Sequence, residues 1–257
     1  VLRLPGKQET LLDTLRKAGK PLVVVLMNGR PLCLESVDKQ ADAMLEAWFP
    51  GTQCGNAVAD VLFGDIVPAA KLTASFPLTE GQIPNNYNYK RSGRPGDMPY
   101  SSTVRHIDVP NRNLYPFGYG LSYTTFSYGE MQCPTAFDDK GFLQVSVDVT
   151  NTGNYDGEEI VQLYVADKVA SMVRPIKELK GFQKVFIPKG QTKRVEFKLN
   201  VKDLGFWNSL MQYVVEPGTF EIMVGTNSEE LQKKEAVWDD GKVSEAPSAR
   251  GHVVVQH

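Results

Sequence analysis

The chain has 257 residues, enough for one large domain or two small ones at roughly 100–200 residues each. Its 42% hydrophobic and 23% charged residues are those of a globular protein and exclude a largely disordered chain. With 28 basic against 30 acidic residues, the net charge of −2 leaves no cationic excess for a nucleic acid or an anionic membrane surface. No apolar run exceeds Leu22–Met27, far too short for a membrane span.

The first 126 residues alternate helix-like and strand-like runs. Leu11, Leu12 and Leu15 recur at helical spacing within residues 8–18, and Gly19 and Pro21 end that helix. Residues 22–27 form a continuous β-branched run, as expected of a buried parallel strand, and Asn28-Gly29-Arg30-Pro31 turns at its carboxyl end. Residues 45–49 predict a second strand, residues 52–63 a helix closed by Gly64, and residues 71–76 a third strand. Three strands are too few for a finished sheet, so this region is expected to be the C-terminal part of an α/β domain whose first strands lie upstream. The start at Val1, without a Met, is read as an N-terminal truncation.

Residues 77–116 hold six prolines with Tyr87, Tyr89, Tyr100 and Tyr115 and no period; they predict an ordered covering loop. From Phe142 the pattern is all-β. Leu143, Val145, Val147 and Val149 alternate with polar residues, and further strands are predicted over 160–166, 179–187, 195–199 and 220–224. Gly/Pro turns between them predict an antiparallel β-sandwich. The expected domains are 1–126, 127–245 and a patternless tail over 246–257.

Few residues can carry chemistry. Three isolated cysteines and three histidines give neither a disulfide framework nor a metal site, and no cofactor motif occurs. Asn28 and Arg30 lie where open α/β sheets bind ligands, beyond a strand's carboxyl end; they line a polar pocket or merely build a turn. Glu35 and Asp38 have two readings: a glycosidase-like carboxylate pair, or acids at a helix N-terminus with Ser36 or Asp38 as the cap. Gly51 and Gly55 flank a helix start but lack the Lys-Ser/Thr of a phosphate loop, which leaves a turn and close helix packing. Cys54 has no partner His for a thiol nucleophile. Tyr87, Tyr89, Arg94 and Tyr100 offer flat faces with polar handles, suited either to stacking on sugar rings or to stapling the loop across a domain junction.

Several motifs together resemble glycoside hydrolase family 3. Asn28-Gly29-Arg30-Pro31, Trp48-Phe49-Pro50-Gly51, Ala59-Asp60-Val61-Leu62-Phe63-Gly64 and Lys71-Leu72-Thr73-Ala74-Ser75-Phe76-Pro77 are similar to its second, α/β-sandwich domain. Tyr115-Pro116-Phe117-Gly118-Tyr119-Gly120-Leu121-Ser122-Tyr123 resembles its entry into a fibronectin type III-like domain. Asn151-Thr152-Gly153, Lys177-Glu178-Leu179-Lys180-Gly181-Phe182 and Glu216-Pro217-Gly218 continue the likeness. The resemblance implies α/β plus all-β architecture and a retaining β-glucosidase of the periplasm or cell exterior. Such enzymes act on a β-glucoside or oligosaccharide with an Asp nucleophile and a Glu acid/base. It places the nucleophile in an N-terminal barrel that this chain lacks, and the Glu upstream of Leu4-Pro5-Gly6. No catalytic residue is therefore assigned here; Asn28, Arg30, Tyr89 and Arg94 remain as substrate-binding candidates. The rival reading is a non-catalytic carbohydrate-binding or structural module, in which Phe182, Phe186, Phe206 and Trp207 are expected mostly in strand interiors or a domain junction.

Overall fold

The computed structural model describes residues 2–94 and 106–239. The α/β part runs α1 (Gln8–Arg16), β1 (Val23–Leu26), α2 (Glu35–Asp38), β2 (Ala43–Glu46) and α3 (Cys54–Phe63). β1 and β2 pair in parallel, Val23 opposite Ala43 through Leu26 opposite Glu46. Leu12, Leu26, Leu32, Leu34, Val37 and Phe76 form the small core beneath them. Gly64 closes α3 with φ 85°, a left-handed cap that a side chain would resist.

Four expectations for this half need correction. The second strand lies at Ala43–Glu46 and not at 45–49, because the chain leaves the sheet at Ala47 and turns at Trp48. Residues 71–76 do not join the parallel sheet. They run beside the 115–119 segment through Leu72 N–H to the Tyr119 carbonyl, Gly118 N–H to the Leu72 carbonyl, and a Phe76–Tyr115 bridge. Neither Ser36 nor Asp38 caps α2; the N-cap position is Leu34, with no side-chain bond. Gly51 does turn the chain, at φ 69°, but a Cβ on Gly55 would meet nothing within 4 Å, so close packing does not explain it.

The β-sandwich consists of β3 (Phe126–Tyr128), β4 (Phe142–Asn151), β5 (Gly157–Asp167), β6 (Glu178–Ile187) and β7 (Thr192–Asn200). It continues with the hairpin β8 (Phe206–Trp207) and β9 (Tyr213–Val214), then β10 (Gly218–Gly225) and β11 (Leu231–Trp238). A four-stranded antiparallel sheet ordered β11-β10-β5-β6 faces a three-stranded one ordered β3-β4-β7. Strict alternation puts Leu143, Val145, Val147 and Val149 against Val161, Leu163 and Val165 in one core. Each such side chain contributes about 1.5–3 kcal/mol by burial, so this core carries most of the chain's stability. The other face of β5 is covered too: Tyr164 and Ala166 pack with Met223 against Tyr87 and Phe117 from the first half.

The two halves meet through two hydrogen-bonded polar clusters. Asn151, fully buried, accepts from Thr124 Oγ1 at 2.6 Å and Gly153 N at 3.1 Å, and donates to the carbonyls of Tyr155 and Ile187. Lys71, from the first half, lies 3.3 Å from Glu159 on β5, with side-chain exposures of only 11% and 4%. Tyr128 O–H donates to the other Glu159 oxygen at 2.8 Å, and Lys71 Nζ also reaches the Gly120 carbonyl.

Two outcomes are expected. Asn151→Ala removes four hydrogen bonds, two of them buried, and lowers unfolding stability by about 3 kcal/mol in urea denaturation. Glu159→Leu leaves the Lys71 ammonium buried without its counter-charge and costs about 3–5 kcal/mol. The double variant Lys71→Met/Glu159→Leu recovers most of that loss in the same assay.

Candidate functional site

The carboxyl ends of β1 and β2 lie side by side, and the turns that follow them touch. Asn28 Nδ2 donates to the Arg30 carbonyl at 2.7 Å, which closes the first turn. Gly29 leaves room for the Phe49 ring; a Cβ there would sit 2.5 Å from it. Trp48 takes φ 50°, a left-handed conformation that is a genuine outlier for a bulky side chain. Its ring packs on Phe76 at 5.8 Å, and its backbone N–H donates to Glu46 Oε1 at 3.0 Å.

This cluster holds two buried acceptors with no donor, Asn28 Oδ1 and Glu46 Oε2. Burial raises the Glu46 pKa, partly offset by the bond from the Trp48 backbone N–H and by the nearby Asn28 amide. Orphaned polar atoms, a strained backbone and a perturbed carboxyl at adjoining strand ends are the physical marks of a site. Chemically the cluster can accept hydrogen bonds, from sugar hydroxyls or from N–H donors. Glu46 was not singled out in the sequence, and Trp48 only as part of the Trp48-Phe49-Pro50-Gly51 motif. A carboxylate inside the apolar run 44–49 was the available signal, hidden because the run reads as a strand.

Asn28 and Arg30 thus fall together here, Arg30 exposed at the turn. Tyr89 does not join them. Its carbonyl accepts from Ile176 N at 3.0 Å, and Lys90 bridges Pro175, which fixes this stretch against the sandwich. There Tyr89 lines a groove of about 800 Å³ with residues of the β5–β6 connection. Tyr87 is a staple: it stacks on Phe117 at 4.2 Å, and its O–H accepts from Leu179 N. Arg94 is exposed, with its N–H on Ser92 Oγ, and Tyr100 lies outside the described residues.

The other acids serve the fold. Glu35 pairs with Lys39 at 2.8 Å, and the Lys39 bond and charge hold its carboxyl below the usual range. Asp38 accepts from the Tyr115 O–H. Among the described residues no cluster of His, Cys, Asp or Glu could hold a metal, and no helix is long and apolar enough to cross a membrane. Phe206 alone of the four sandwich aromatics is buried. Phe182, Phe186 and Trp207 are exposed at 64%, 48% and 61%, which corrects their expected place in strand interiors or a junction.

Comparison with known proteins agrees with this architecture. Residues 1–123 match the glycosyl hydrolase family 3 C-terminal domain, and residues 159–228 a fibronectin type III-like domain. A periplasmic beta-glucosidase of Salmonella typhimurium is 48% identical over 236 residues, 90% of this chain and 31% of that protein. A beta-xylosidase of Formosa agariphila is 45% identical over 228 residues, 88% of this chain and 31% of that protein. The crystal structure of a mutant beta-glucosidase from Listeria innocua in complex with laminaribiose superposes with a TM-score of 0.87 at 40% identity. That match covers 92% of this chain and 33% of that one. The chain spans about a third of the length of the curated relatives it matches. With both domain models in the same order as its two halves, the chain belongs to glycoside hydrolase family 3, carrying that family's C-terminal domain followed by its fibronectin type III-like domain.

Proposed function

We propose that this chain is the C-terminal part of a retaining β-glucosidase that removes terminal non-reducing β-D-glucosyl residues, and that it supplies walls of the site and not its reacting groups. The observation that carries this reading is the ordered match of both domain models, joined to 48% identity with a periplasmic beta-glucosidase. That relative's name supports the periplasmic alternative of a periplasmic or extracellular location. The partner implied is an N-terminal barrel with the nucleophile, and an acid/base Glu ahead of Leu4.

The side chains support the absence of a catalytic pair. Retaining hydrolysis needs two carboxylates about 5–5.5 Å apart across the bond. Glu35 and Asp38 are engaged by Lys39 and Tyr115. Burial raises the Glu46 pKa, but among the described residues no second carboxylate is bonded within its cluster. Asn28 and Arg30 are then substrate-side or domain-side contacts of the strand ends, and Tyr89 and Arg94 belong to a second wall. The exposed Phe182, Phe186 and Trp207 favour one rival, a carbohydrate-binding module without hydrolysis.

The chain alone is expected to release no nitrophenol above background from p-nitrophenyl β-D-glucoside. The full-length protein should turn it over, and faster than the β-xyloside; sustained turnover by the chain alone would refute the reading. Retention of the chain on insoluble β-glucan would instead select the binding module. In the full-length enzyme, Arg30→Ala and Arg94→Ala should each change KM or kcat.

Glu46→Gln tests the electrostatics separately. A carboxyl whose folded-state pKa is raised destabilises the fold above that pKa, since the native state then must give up a proton it holds more tightly than the unfolded chain. Glu46→Gln should therefore be more stable than the parent at pH 7 in urea denaturation. Its advantage should shrink as pH falls through the raised pKa toward the ordinary Glu value. Equal stability at all pH values would contradict a buried, charged Glu46.

A further inference from the structure

The groove beside Tyr89 is built from three separate parts of the chain. One wall is Tyr89 and Arg91, the floor is the end of β5 and the β5–β6 connection from Ala166 to Lys177, and the far side is β10 and β11 through Glu221, Met223 and Lys233. At about 800 Å³ it falls within the size range of small-molecule sites, and it lies at a junction between domains, where such sites concentrate. Its walls are held in place. The backbone of Tyr89 is bonded to Ile176, and Arg174 stacks over Phe206 at 4.6 Å while bonding Glu178 at 2.9 Å.

Two features mark its chemistry. Five lining residues are cationic and only two, Asp167 and Glu221, are acidic. Glu221 is divided between Lys168 at 3.5 Å and Lys233 at 3.4 Å, and Lys168 also meets Glu235. Lys177 enters no ion pair among the described residues; its Nζ donates to the Ser228 carbonyl. Burial and then the Lys233 charge lower its pKa, against weaker opposing effects of Glu229 and Glu221. An anion that contacts both Lys177 and Lys233, which line the same groove, relieves that repulsion and gains charge-assisted hydrogen bonds. The second feature is apolar: the Tyr89 side is 56% exposed, and Val173 on the floor is 62% exposed. A flat ring beside aliphatic groups matches the C–H face of a sugar.

We propose that this groove binds an acidic sugar, with its carboxylate or sulfate on Lys177 and Lys233 and its ring face on Tyr89. The sugar part rests on the glycosidase reading above; the anion part rests on the groove alone. Binding, not turnover, is therefore measured, on this chain and without hydrolysis. The chain is titrated calorimetrically in low salt with glucuronic acid, glucose 6-sulfate, glucose and sodium sulfate.

At least one of the two acidic sugars should bind about tenfold or more tighter than both glucose and inorganic sulfate. The affinity should fall as salt rises. Lys177→Met should weaken it about tenfold, with thermal unfolding checking that the variant folds. Lys233→Gln, at a side chain 57% exposed, and Tyr89→Ala provide the same test where folding is not at risk. The proposal is overturned if glucose binds as tightly as both acids, if sulfate alone matches them, or if Lys233→Gln and Tyr89→Ala both bind like the parent. Tight binding by sulfate with loss in the lysine variants would leave an anion site without a sugar, and the glycosidase reading would stand untouched.

Discussion

The close approach of the 115–124 segment to β5 is the constraint on which the arrangement of both halves depends. Gly118 lies against the Gln162 side chain so tightly that a Cβ has no room, and its φ of 81° is one that other residues resist. Gln162, 3% exposed, donates to the carbonyls of Gly118 and Thr226 and accepts from the Tyr164 O–H. On its other side the same segment is bonded to Leu72 and Phe76. One strip of chain thus satisfies backbone groups of both domains. Since a buried unpaired group costs about 1–3 kcal/mol, any shift of one half against the other breaks several bonds together. The Lys71–Glu159–Tyr128 cluster and the Asn151 network extend this seam. Tyr128 is held protonated by burial and by the Glu159 charge, so it remains a donor throughout the physiological range.

The sandwich was legible in the sequence wherever one face is buried and the other wet. β4 and β7 show period-2 alternation because their outer faces meet solvent. β11 went unread: its Gln232-Lys233-Lys234-Glu235 run is exposed or half-exposed, and only Ala236 is buried, so this edge strand carries no apolar alternation. The helix stops at Gly19 and Gly64 were also legible, since glycine takes the left-handed conformation at both. Residues 71–76 misled because an extended apolar run looks the same whether it joins a parallel sheet or lies beside a returning loop. Nothing local tells the two apart.

The sites were less legible than the fold for a related reason. Asn28 and Arg30 could be found because strand ends bind ligands as a general rule, and the turn is contiguous. Glu46 and Trp48 matter only because β2 sets them beside that turn, a register no spacing reveals. The Tyr89 groove needs residues 89–91, 166–177 and 221–233 in one place. The tyrosines of one loop carry opposite duties, Tyr87 stacked inside and Tyr89 left open. Composition alone assigned them equally.

The two halves differ in how completely their groups are satisfied. The sandwich is densely alternating and well satisfied, whereas the strand ends keep an outlier backbone at Trp48 and two orphaned acceptors. Strain of about 1–3 kcal/mol persists only where surrounding structure over-determines it. Here the surroundings include Phe76, which touches both Trp48 and Tyr115, and Tyr115 stacks on Tyr119 within the seam strip itself. A chain of ring contacts therefore runs from the strained turn to the segment bonded to β5. Hydrolysis that depends on reacting groups set to within about 1 Å gains from such rigidity even when none of those groups belongs to the rigid part. On the proposed reading, the sandwich acts on the reaction through this chain of contacts, by holding the strand ends still.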